Sequence, residues 1–156
     1  MSSDPLYVRR ARVVSIPVDV LWQLIEPVET LPSWFPLAER AERVSGEGLG
    51  RVQRVTARWG RRTAEIDQQV TAYEPERRIA WTHLAERVNG RPAPRISARV
   101  TTTIRLEAAN PGTRVVLESE HVPSGALAAL VLKFVAKPRL EKAFDRALAN
   151  LAAAGG

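Results

Sequence analysis

The sequence predicts one α+β domain over residues 7–153, in which a seven-stranded antiparallel sheet carries a long C-terminal helix on one face and two short helices lie between the first two strands. Three observations predict it. From residue 38 to 122 the apolar residues recur with a period of two, interrupted only by short turn-forming stretches. The segment from about Ser124 to Ala153 carries apolar residues at helical spacing. Between the first strand and the sheet, Pro17, Pro27, Pro32 and Pro36 leave room only for short helices.

Residues 7–16 are rich in Val and Arg and contain no breaker, which suits a first strand that Pro17 stops. Pro17 can open a helix, Asp19 in its first turn suits the helix dipole, and Val18, Leu21, Trp22 and Ile25 form its apolar stripe. Residues 28–34 allow at most one or two further helical turns. Strands are expected at 38–45, 51–59, 63–73, 77–86, 95–107 and 113–122, and their short connections make them antiparallel neighbours. In 95–107, Ile96, Ala98, Val100, Thr102, Ile104 and Leu106 alternate with polar residues, so one face is covered and the other wet. The same test turns Val55, Ala57 and Trp59 inward, then Ile66, Gln68, Val70 and Ala72, then Val115, Leu117, Ser119 and His121. In 77–86 the two phases compete, Ile79, Trp81 and His83 against Ala80, Thr82 and Leu84, and the inward face stays open. The last helix has one stripe at Leu127, Leu130, Val131 and Phe134 and another at Leu140, Phe144, Leu148 and Leu151, with a kink expected at Pro138.

At 156 residues, with 45% hydrophobic and 26% charged residues, the composition is that of an ordinary globular chain. The absence of cysteine excludes disulfides, thiol nucleophiles and Cys-ligated metals, and with only His83 and His121 no metal or other cofactor is expected. The first ten residues lack the apolar stretch of a signal peptide, and the run from Ala126 to Ala136 is too short to cross a bilayer, so a cytoplasmic protein is expected.

Four stretches carry a resemblance: Ile16-Pro17 leading to Leu21-Trp22, Leu31-Pro32-Ser33-Trp34-Phe35-Pro36, Gly46 to Gly50 opening a strand, and Tyr73-Glu74-Pro75-Glu76-Arg77-Arg78. With the order of elements, they resemble the START-like, or SRPBCC, superfamily in its polyketide cyclase/dehydrase-type branch, over about residues 7–152. The resemblance implies the helix-grip fold, a curved sheet wrapped around the terminal helix with a largely apolar cavity between them. The residues reach a similar place, because one apolar helix stripe over a wide sheet can leave a gap that small molecules fill. Aromatase/cyclases of the superfamily place a cavity arginine on the strand matching 63–73. Here that strand offers Gln68, Gln69 and Val70, so no catalytic residue is carried over.

The expected cavity is bounded by Val55, Ala57, Trp59, Ile66 and Val70 from early strands, Val100, Ile104 and Leu117 from late ones, and Leu127, Val131 and Phe134 from the helix. Gln68, Thr102 and Ser119 add polar groups on the same face, and Trp34 sits in the segment the family places near the pocket. Such a site suits a hydrophobic, lipid- or polyketide-like ligand that is bound or carried. The alternative is a cyclase or dehydratase in which His121 is the base and Ser119 or Gln68 orients the substrate, since histidine titrates nearest neutrality. For both histidines, a structural role at a strand end or on the surface competes with catalysis. Glu65 and Asp67 fall on the opposite strand face, and Glu141 and Asp145 lie beside Lys142 and Arg146 on a wet helix face, so no carboxylate pair recommends itself. The glycines at 46, 48 and 50 precede a strand instead of a helix, unlike a phosphate-binding loop.

The net charge of +6 invites a nucleic-acid reading, but Arg9, Arg54, Arg58, Arg99, Arg105 and Arg114 disperse over outward strand faces and no recognition motif occurs. No nucleic-acid partner is expected. In a meander, alternate turns share an end of the sheet, which collects Arg61, Arg62, Arg87, Arg91 and Arg95 into a basic rim near the pocket mouth. Such a rim would draw in an anionic head group, an acidic carrier protein or an anionic membrane surface. Solubilising charge on surface loops is the plain alternative.

Overall fold

The computed structural model describes residues 4–59, 61–93 and 96–154, with the side chain of residue 59 left out. Strand β1 (Leu6–Val14) leads to helix α1 (Val18–Ile25), a 3-10 turn (Val28–Thr30) and helix α2 (Leu31–Trp34). Strands β2 (Ala38–Ser45), β3 (Val52–Trp59), β4 (Arg62–Glu74) and β5 (Arg78–Val88) follow, then the two-residue β6 (Arg91–Pro92), β7 (Ser97–Ala108) and β8 (Thr113–Pro123). The chain ends in α3 (Ala126–Val131), a π-helical turn (Leu132–Ala136) and α4 (Lys137–Ala154).

The strands form one curved antiparallel sheet ordered β1-β8-β7-β5-β4-β3-β2, with β6 attached to β5. Its concave face holds α4. Phe144, Ala147, Leu148 and Leu151 from α4 pack with Leu21 and Ile25 of α1, Leu31 and Trp34 of α2, and Val55, Val70, Ile79, Trp81, Ile104 and Leu117 of the sheet. Burying each of the larger side chains is worth about 1.5–3 kcal/mol. Arg10 of β1 pairs with Asp145 at 3.2 Å and Glu141 at 3.5 Å, tying α4 to the sheet margin. The two helix carboxylates read as solvated therefore have a structural partner.

The inward phase of β5 is settled by its pairing: Trp81 opposes Val70 and Thr102, and Ile79 opposes Ile104, so Ile79, Trp81 and His83 face the helix. Three features depart from simple alternation. A bulge between Val70 and Ala72 shifts the phase of β4, turning Tyr73 inward opposite Ile79 and placing Ala72 with Ala80 on the outer face. A second irregularity, between Ser97 and Arg99, ends the alternation of β7 at Val100, and both Ile96 and Ala98 are exposed. The third is β6, which falls in a stretch expected to be loop. Beyond Thr82 and Thr101, β5 and β7 no longer pair; β6 takes the edge of β5 at Arg87 and Val88, and the sheet forks.

The terminal helix does not place both apolar stripes on the sheet. Proline at 138 lacks the N–H that would bond the carbonyl of Phe134, and the turn just before it widens into the π form. That turn resets the phase of the helix. Leu132 is buried and Ala128 and Ala129 are half-buried, whereas Leu127 is 77% and Phe134 66% exposed. The expectation that Leu127 and Phe134 bound a cavity is thus corrected: the phase is dictated by α4, whose stripe is anchored in the core. Val131 is half-buried.

Candidate functional site

The concave face divides into two regions. Under α4 lies the packed apolar core, which takes in Trp34, Val55, Val70, Ile104 and Leu117 from the expected pocket lining. Toward the end of β8 that leads into α3, the sheet presents polar side chains, and α3 itself buries no residue.

Ser119 and His121 project from β8 on the same face, and Nε2 of His121 lies 3.0 Å from the Ser119 hydroxyl. Both are buried. Val100 of β7 opposes His121, and Thr102 opposes Ser119, so Thr102 stands half-buried between Ser119 and Trp81. Loss of hydration, reinforced by the nearby His83 and opposed by Glu86, lowers the pKa of His121 to about 4. The imidazole is therefore neutral at pH 7, one ring nitrogen donating and the other accepting.

His83 opposes Gln68, and its Nδ1 lies 2.8 Å from a carboxylate oxygen of Glu86. Two residues three apart on a strand ordinarily face opposite sides. Here β5 carries an extra residue, Leu84, between the pairs Gln68 with His83 and Asp67 with Ala85, and the bulge brings Glu86 round to the inward face opposite Ile66. The pair occupies the branch of β5 that has left β7. Alternation alone hid it; the signal was Leu84, an apolar residue out of phase.

A chain of buried polar groups continues across the sheet. Gln53 Nε2 donates to Gln68 Oε1 at 2.9 Å, Arg51 Nε donates to Gln53 Oε1 at 3.1 Å, and Arg51 Nη1 donates to Glu26 at 2.9 Å. Tyr73 donates its hydroxyl to the same carboxylate at 3.4 Å, and burial together with Glu26 raises its pKa. The interior thus does hold a buried arginine, just before β3, the strand next to the one that lacks it. Its guanidinium is committed to Glu26 and Gln53, which fixes the end of α1 against β3. Nε1 of the buried Trp34 has no hydrogen-bond partner among the described residues.

Of the remaining expected residues, Ala57 and Ile66 are half-buried on the inward face, opposite Ala64 and Val55. The side chain of Trp59, and Arg95, lie outside the described residues. Arg61, Arg62 and Arg91 are exposed in neighbouring turns at one end of the sheet. Arg87 is different. It chelates Asp67 from the outer face, at 3.1 Å to each oxygen, while Arg54 donates to Asp67 at 2.8 Å. These two guanidinium groups lower the Asp67 pKa to about 2, so Arg87 is a neutralised cross-strand partner and Asp67 is not merely solvated.

Two clefts of about 340 Å³ each open on the surface. One runs between α4 and the segment after α2, lined by Pro36, Leu37, Arg58, Arg139, Lys142, Ala143 and Arg146. The other lies around Glu26, Arg43, Glu47, Arg51 and Tyr73. Neither is lined by the apolar set expected for an interior site. Among the described residues, no group of three or more His, Cys, Asp or Glu is placed to hold a metal ion, and no helix is long and apolar enough to cross a membrane.

Residues 6–156 match the family model described as polyketide cyclase / dehydrase and lipid transport. The chain belongs to that family. No curated protein matches the sequence. Among solved structures, the chain resembles TTHA0849 from Thermus thermophilus, with a TM-score of 0.75 and 18% identity over 94% of each chain. It resembles the Zhui aromatase/cyclase from Streptomyces sp. R1128 with a TM-score of 0.69 and 21% identity, over 97% of this chain and 91% of that one. Ara h 8.0201 gives 0.69 and 20%, over 96% and 99%. These likenesses show the helix-grip fold. Family and fold together fit either hydrophobic-ligand binding or a polyketide cyclase-like activity.

Proposed function

We propose that the chain binds and carries a hydrophobic small molecule whose polar group is read by His121, Ser119 and Gln68. The observation that carries this reading is the state of His121. A general base works best with a pKa near the working pH, and an imidazole lowered to about 4 takes a proton poorly at neutrality. As a neutral group bonded to Ser119, it suits recognition: it can offer one donor or acceptor to a ligand. Helix α3, which follows β8 and buries none of its own residues, is the part of the cover that would move to admit a cargo to these buried groups.

Native mass spectrometry of protein purified from its own host tests the proposal, together with titration of an environment-sensitive apolar fluorophore. A co-purifying mass or saturable one-to-one probe binding is expected, with His121→Gln weakening the affinity for a polar-headed ligand about tenfold or less, the scale of one hydrogen bond. Absence of both cargo and saturable binding overturns it.

A cyclase or dehydratase reading survives on one observation, the contact between His83 and Glu86, in which a carboxylate orients an imidazole at the fork of the sheet. In that reading His83 takes the place of His121 as base. Turnover of a poly-β-ketone substrate that is lost in His83→Gln and retained in His121→Gln would select it.

A further inference from the structure

The first section of the terminal helix exposes large apolar residues that the core does not use. Leu127, Leu130, Phe134 and Val135 are 77%, 54%, 66% and 47% exposed, and the spacing of the first three puts them on one side. Ile96, 44% exposed, lies beside the start of this section, where Ser124 bonds its carbonyl. Scattered exposed leucines need no explanation, but a contiguous set on one helix marks a surface that something covers.

Along the chain, the charge within and just after this set is all of one sign. Between Glu120 and Glu141 the chain contains no acidic residue, whereas Lys133, Lys137 and Arg139 fall in or just after the apolar stripe. The Lys133 ammonium sits 5.6 Å from the centre of the Phe134 ring. One turn further along, α4 carries Arg139, Lys142 and Arg146 along a cleft that Arg58, itself paired with Glu39 at 2.8 Å, closes from β3. The exposed turns bearing Arg61, Arg62 and Arg91 lie at the end of the sheet where β3 finishes and β6 begins.

We infer that this end of the molecule docks on an anionic lipid bilayer, the apolar side of α3 and the following turn entering the interface and the lysines and arginines meeting phosphate head groups. An amphipathic helix lying in an interface needs an exposed apolar side and flanking cations, and both are present. A second copy of the chain fits less well, because a symmetric contact through this stripe would bring Lys133 and Lys137 against their own copies, and the next carboxylate along the helix, Glu141, is already paired with Arg10. The inference is independent of the cargo reading, since docking can be measured without any ligand in the interior.

The test is flotation of the full chain with vesicles of equal parts phosphatidylglycerol and phosphatidylcholine, and with vesicles of phosphatidylcholine alone. Binding to the anionic vesicles, reduced by salt, is expected. Lys133→Glu with Lys137→Glu should weaken partitioning by roughly tenfold or more. Leu127→Ser with Phe134→Ser should do the same, and because these positions are exposed, the variants should keep the parent's thermal midpoint. Failure to bind anionic vesicles at low salt overturns the inference, as does equal binding to the uncharged ones. Serine variants that bind anionic vesicles undiminished would leave a charge-only surface, of the kind an acidic protein uses, and would also overturn it. So would a dimer, seen by light scattering and dispersed by Phe134→Ser, in a chain that ignores vesicles.

Discussion

His121 is the residue whose environment says most about its role. In an unfolded chain it titrates near 6.5; in the fold its pKa falls to about 4 because burial and His83 disfavour the cation. At pH 7 both states are neutral and the shift costs nothing. As pH falls from 6.5 towards 4, the unfolded state gains a proton that the folded state refuses, and stability declines by up to about 3 kcal/mol. Asp67 acts in a separate and lower window: its folded pKa of about 2 lies below 3.8, so its contribution is present above 3.8 and is lost as pH falls towards 2. Urea denaturation at a series of pH values should show the first loss between 6.5 and 4, and His121→Gln should remove it while leaving the second. An unchanged slope in that variant would mean that another group titrates there. The inward orientation of Gln68, Thr102, Ser119 and His121 was legible from alternation, because each sits in an undisturbed run of its strand. The partnership of His83 with Glu86 was not, because one extra residue, Leu84, rearranges which side chains share a face.

The elements were legible wherever local chemistry decides them. Pro17 and Pro27 bound α1 as their fixed geometry demands, and glycine or proline turns delimit nearly every strand. What alternation could not supply was the position of the bulges in β4 and β5, or the phase of α3, which depends on a π-helical turn before Pro138 and on how α4 has already docked. The turn between β7 and β8 shows how tightly such local choices are set. Gly112 has φ +87°, and a Cβ there would lie 2.0 Å from the carbonyl oxygen of Val14. Both the conformation and the space exclude a side chain, so Gly112→Ala should cost about 3 kcal/mol or more and loosen the junction between β8 and the end of β1. Gly50 has the same φ with nothing within 4 Å of its would-be Cβ, and Gly50→Ala should cost only about 1 kcal/mol. Chemical denaturation of the two variants checks the contrast, and equal losses would show that backbone strain outweighs the clash.

At the scale of the whole molecule, the two sections of the terminal helix play different parts. Helix α4 is locked by Phe144, Leu148 and Leu151 in the core and by the pairing of Glu141 and Asp145 with Arg10, whereas α3 touches the sheet lightly through small residues and turns its large ones to solvent. Below α3 the sheet is itself forked, with β5 beyond Thr82 released from β7. Few buried apolar contacts and unpaired strand edges mark regions of low local stability. Amide hydrogen exchange should therefore be at least roughly a hundredfold faster in residues 126–136 and 83–88 than in 140–151 and in the paired rows of β7 and β8. Bound cargo stabilises only the conformation that holds it, so loading the protein with an apolar ligand should slow exchange in the first two segments and leave α4 almost unchanged. Docking on an anionic vesicle would protect 126–136 without protecting 83–88, because the membrane would cover the outer side of α3 and not the sheet beneath it. Exchange that is uniform along the helix, or cargo protection confined to α4, would place the mobile and ligand-responsive part of the fold elsewhere.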